Sequence, residues 1–117
     1  MTVNAKMPYF LCQLRPPRAS FMADMTPDER GLMLAHQQYM RPFVESGMVI
    51  ALGPVADPKG SWGLGLVEAL DRAHVDRLTA GDPVILANCG FHYETHPIPQ
   101  MILGRGAERA SIDSVTP

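Results

Sequence analysis

Residues 48–70 read MVIALGPVADPKGSWGLGLVEAL, and this stretch decides the fold. MVIALGPV (48–55) is an apolar run of strand length, and WGLGLVEAL (62–70) is another. Between them stands Asp57-Pro58-Lys59-Gly60. Proline presets one backbone dihedral and glycine admits the reverse of another, which is turn chemistry. Two strands joined so closely pair as a hairpin. Gly53-Pro54 is expected to end the regular pairing of the first of them.

On the N-terminal side of the hairpin, Thr26-Pro27-Asp28-Glu29 opens a helix. The threonine hydroxyl caps it, proline suits a first position whose N–H has no partner, and Glu29 reaches back to complete a capping box. Leu32, His36, Tyr39, Met40 and Phe43 then recur at helical spacing and define one face. Pro42 cannot donate to the Gln38 carbonyl and is expected to bend or loosen the last turn, and Gly47 ends the helix. Before it, RPPRASFMADM (15–25) reads as a long loop, and YFLCQL (9–14) as the first strand.

On the C-terminal side, Asp71 caps a second helix that stops at Gly81. Asp82-Pro83 then restarts a short helical turn, with Asp82 as cap. FHYETHPIPQMIL (91–103) reads as a last strand interrupted by prolines, which implies a sheet edge or an irregular segment. The order strand, helix, strand, strand, helix, strand is the ferredoxin-like βαββαβ arrangement, an α+β fold with both helices on one face of an antiparallel sheet. The opposite face keeps apolar positions that the rest of the chain cannot cover, so a homodimer packed sheet to sheet is expected.

The 117 residues suit one domain, taken as 1–103, followed by a polar tail, 104–117, expected to be flexible. Apolar residues make up 46% of the chain and charged ones 19%, which is globular rather than disordered composition. A net charge of −2 with no basic run argues against nucleic acid as a partner. No window approaches the roughly 20 apolar residues of a membrane span, and MTVNAKMPYF does not read as a signal peptide, so the cytoplasm is the expected location. In a reducing compartment, Cys12 and Cys89, both in apolar surroundings, read as free core thiols.

The segments TPDER…HQQYM, GMVIALGPVADPKGSWG and AGDPV, in this order and spacing, resemble the YciI-like (YCII-related) family. The resemblance runs from Tyr9 to Leu103. It implies a dimeric α+β barrel and an active site built on a histidine and an aspartate, with His36 of HQQY and Asp82 of DP at the matching positions. One branch of the family is similar to a dehydrochlorinase acting on a chlorinated hydroxyquinol. Gln37-Gln38 stand where many members carry more apolar residues.

The residues themselves leave each candidate two readings. His36 on an apolar stripe is either a core histidine with a satisfied hydrogen bond or a general base. Asp82 is a helix cap, and its second oxygen can also face His36. A carboxylate holding a neutral imidazole fixes its tautomer and makes the free nitrogen a better base. Tyr39, one turn later, packs or offers its hydroxyl to a substrate. Gly53 and Pro54 allow close backbone approach to a cavity or simply end a strand. Trp62 is a cavity wall, a dimer contact or core. Arg15 and Arg18 close a lid or belong to a solvated loop, and His74 is expected to be exposed.

His92 and His96 on an extended strand stand roughly 13 Å apart at about 3.3 Å per residue, too far for one ion, so no metal site is expected. No dinucleotide, Walker or paired CxxC motif is present, and no cofactor is expected. The expectation is therefore a cofactor-free enzyme of isomerase or lyase type acting on a small ring compound, with His36 as acid/base and Asp82 as its orienter. The alternative is a non-catalytic module that binds a small molecule or docks a partner.

Overall fold

The computed structural model describes residues 7–104. Four strands, β1 (Tyr9–Arg15), β2 (Val49–Val55), β3 (Trp62–Glu68) and β4 (His92–Ile98), form one antiparallel sheet in the order β2-β3-β1-β4. Four helices accompany them: α1 (Phe21–Asp24), α2 (Pro27–Ser46), α3 (Arg72–Ala80) and α4 (Pro83–Leu86). Strand order and element order together are those of the ferredoxin-like α+β arrangement. None of these helices is long and apolar enough to cross a membrane.

The core lies between the sheet and the helices. Phe10 and Cys12 of β1, Val49 of β2 and Val67 of β3 meet Met40 of α2 and Val75 and Leu78 of α3. A second cluster, Leu14, Phe21, Val84 and Phe91, closes the other end, with Leu32, Met33 and Ile85 packed on it. Tyr93 of β4 packs against both clusters. The Phe21 and Phe91 rings meet edge to face, 5.2 Å between centroids.

Local chemistry sets the helix ends. The Thr26 hydroxyl accepts from the Glu29 N–H, and Glu29 Oε1 accepts from the Thr26 N–H, completing the capping box. Asp71 accepts from the His74 N–H and Asp82 from the Val84 N–H. Gly47 ends α2 at φ 88°, a left-handed conformation that glycine adopts without steric cost. The helix continues through Pro42 to Ser46.

Three expectations need correction. The segment 15–25 is not all loop, since Phe21–Asp24 forms a helical turn whose Phe21 side chain is buried. Pairing of β2 does not end at Gly53-Pro54 but continues through Pro54↔Gly63 to Val55↔Trp62. The reason is position: β2 is an edge strand, where the N–H that proline lacks has no neighbour to bond. Cys89 is exposed, and only Cys12 is a core thiol. Cys89 stands beside Asn88, which takes a positive φ of 53°, in the turn that leaves α4. The tail beyond Gly104 lies outside the described residues, as do Met1–Lys6.

Arg18 fastens the α1 segment to the start of α2. Its guanidinium donates to both Glu29 carboxylate oxygens at 2.8 Å, and also to the Asp24 carboxylate and the Asp24 carbonyl. These bonds from Arg18, then the Thr26 N–H, hold the Glu29 carboxyl down at about 2, from an ordinary 4.5. A depressed carboxyl stabilises the fold above its unfolded-state value and loses that contribution as pH falls through the folded-state value. The melting temperature of Glu29→Gln should therefore lie below the parent's by a constant gap above pH 4.5, and the gap should close between pH 4.5 and about 2. Thermal melts of both proteins across that range check it.

Candidate functional site

Helix α2 buries His36 and Met40, one turn apart on the face it turns to the sheet. Just after α3, the chain turns through Asp82, whose side chain is wholly buried. The two meet: His36 Nδ1 lies 2.7 Å from Asp82 Oδ2. The Tyr93 hydroxyl donates to the same oxygen at 2.6 Å, and the Val84 N–H donates to Oδ1 at 3.1 Å. Helix α2, strand β4 and the first turn of α4 thus converge on one carboxylate.

Those partners assign the hydrogens. A carboxylate only accepts, so Nδ1 of His36 carries a proton, and the neutral tautomer compatible with this bond has its lone pair on Nε2. Among the described residues no protein atom bonds that nitrogen. Burial, and then the Asp82 charge and hydrogen bond, push the Tyr93 phenol far above its ordinary value, so it remains a donor at any working pH.

His36 borders a cavity of about 250 Å³ between α2 and the sheet. Met40, Val49, Leu52, Val67 and Leu78 supply apolar wall, with Cys12 and Tyr93 beside them. The space exists because β3 carries Gly63 and Gly65, which pair with Leu14 and Cys12 and line the cavity without a side chain. A bulge at Ile50 also contributes. Val49 and Leu52 would face opposite ways on a regular strand, yet the register shift between Val49 and Ala51 brings both to the cavity. Burial pushes the Cys12 thiol up to about 11, partly opposed by Thr95, so it is a neutral wall group rather than a nucleophile.

Of the residues singled out in the sequence, His36 and Asp82 are in contact, and Gly53 and Pro54 line the cavity. Tyr39 is elsewhere: its hydroxyl donates to the Leu78 carbonyl at 2.6 Å, and its ring packs on Phe43. Trp62 is not among the lining residues. Its indole N–H donates to Asp57 in the hairpin turn, and the Arg15 guanidinium sits 5.5 Å from its ring centre. Neither Arg15 nor Arg18 reaches the cavity. His74 is half-buried, with its ring nitrogen accepting from the Leu70 N–H. Sequence reasoning missed Tyr93, Gly63 and Gly65. The available signal was strand alternation, which sets Tyr93 on the inward face of β4 opposite Leu14.

The family model described as the YCII-related domain matches residues 7–99. No curated protein matches the chain.

The bond from Tyr93 ends on a carboxylate and that from Tyr39 on a neutral carbonyl, so their removal should differ in cost. Tyr93→Phe should destabilise by roughly 1.5–3 kcal/mol and Tyr39→Phe by about 1 kcal/mol. Urea unfolding of the two variants against the parent measures both.

Proposed function

The chain belongs to the YCII-related family, and from that footing we propose that it is a small enzyme moving a proton on a small ring compound, with His36 as general base and acid. The observation that carries this reading is the 2.7 Å contact of His36 Nδ1 with a wholly buried Asp82 beside a cavity. Asp82 orients the ring and favours its charged form once a proton arrives on Nε2. Tyr93 and the Val84 N–H hold the carboxylate in place.

The step balances simply. A substrate C–H proton passes to Nε2, and its bonding pair stays on the substrate as an enolate-type anion. In isomerisation the imidazolium returns the proton to a different carbon. In elimination the pair expels a leaving group as an anion, and the proton leaves Nε2 for water. Neither course calls for an oxidant or reductant.

The same reading includes a homodimer packed through the sheet face that the helices leave uncovered. Leu11 and Leu66, paired across β1 and β3 on that face, support it. A cytoplasmic location belongs to it too, supported by the free Cys12 and Cys89 thiols.

Exchange of the α-hydrogens of cyclohexanone in D2O, followed by proton NMR, reports base catalysis without knowledge of the natural substrate. The protein should accelerate exchange, and His36→Ala should lower that rate by at least about 100-fold. Asp82→Asn, which keeps an oxygen for capping but removes the charge, should also slow it. Full acceleration in His36→Ala would dismiss the assignment. Binding of the ketone with no acceleration by the parent would favour a non-catalytic binding module.

A further inference from the structure

The walls of the cavity also specify the charge of what it holds, an argument that rests on the reading of His36 just given. Among the described residues, no Asp, Glu, Lys or Arg lines the cavity. The arginines nearest in sequence to the lining of β1 are engaged elsewhere, Arg15 with Glu94 and Trp62, Arg18 with Asp24 and Glu29. Asp82 bonds two of the lining residues, His36 and Tyr93, from behind, and three donors already occupy its oxygens. An anion entering here would leave water without a countercharge and face a carboxylate of its own sign. A cation would find no free acceptor of opposite charge.

Size narrows the class further. An apolar cavity of about 150 Å³ accommodates benzene, so about 250 Å³ has room for one substituted ring. Polar groups are few. The Thr79 hydroxyl donates to the Asp76 carbonyl, and the Tyr93 hydroxyl to Asp82. Gln37 is exposed, lines the cavity and makes no side-chain hydrogen bond among the described residues. Its amide N–H can meet a carbonyl oxygen at the rim while Nε2 meets a neighbouring C–H.

We infer that the cavity selects uncharged one-ring carbon acids, molecules with a C–H next to a carbonyl, with the carbonyl oxygen toward Gln37 and the acidic C–H toward His36 Nε2.

Three shape-matched probes test this on the full chain at about pH 8, where an imidazole is ordinarily neutral. They are cyclohexanone, cyclohexanecarboxylate and cyclohexylammonium. Binding is read from the His36 ring nitrogens by NMR, assigned with His36→Asn. Cyclohexanone should shift the His36 signals and bind at least about tenfold tighter than either ion. Gly65→Val, which fills the cavity, should lose the shift. Gly65→Ala, whose Cβ would meet Cys12 at an ordinary 3.6 Å, should weaken it while keeping the parent's urea midpoint.

Equal or tighter binding of either ion would overturn the charge assignment and leave the role of His36 to the exchange experiment. No shift with any probe, or undiminished cyclohexanone binding in Gly65→Ala and Gly65→Val, would overturn the placement of the ligand in this cavity.

Discussion

A carboxylate with no exposed surface governs the architecture. Removing such a group from water is tolerable only when its oxygens are fully engaged, and Asp82 meets that demand with donors from three separate elements. Its N-cap bond is local and forms with the first turn of α4. Its bonds to His36 and Tyr93 are long-range and exist only when α2 and β4 have docked. The residue therefore works as a checkpoint on tertiary structure. A chain in which α2 sits out of register leaves a buried charge short of partners, which is more costly than the loss of an ordinary apolar contact.

The polar knot sits where the two apolar clusters adjoin. Tyr93 touches both, and along α2 His36 falls between Leu32 and Met33 on one side and Tyr39, Met40 and Phe43 on the other. This placement keeps bulk water from the bond between Nδ1 and Asp82, while the His36 side chain borders the cavity. The cavity itself comes from subtraction. Where a regular sheet would present side chains to the helices, β3 presents Gly63 and Gly65, and the bulge in β2 turns an additional leucine inward. The imidazole and the empty volume have separate origins in the chain, one on a helix and the other on strands.

Much of this was legible in the sequence because its punctuation is explicit. Thr26-Pro27-Asp28-Glu29, Asp71 and Asp82-Pro83 each name a helix start by a hydrogen bond that the structure contains. The family resemblance and the order of elements pointed to His36 and Asp82, and the fold brings them together. What escaped depends on sheet position. Pro54 looked like a strand end until β2 was known to be an edge. Tyr93 lies in a segment whose prolines obscured the alternation that points it inward. Tyr39 shared the helical stripe with His36, yet the Leu78 carbonyl lay within its reach, a partner that spacing along one helix cannot reveal. Cys89 had apolar neighbours in sequence but stands in an exposed turn.

The two outer strands share a feature with a wider consequence. Pro54 lies in β2 and Pro97 in β4, so each rim of the sheet contains a residue with no amide hydrogen to offer a newcomer. Recruitment of a foreign strand, the first event in amyloid growth and in many domain swaps, is blocked at those positions. A chain that exposes apolar residues on the flat of its sheet is thereby guarded along the sides. Lateral extension of the sheet from copy to copy, which has no natural end, is thereby disfavoured.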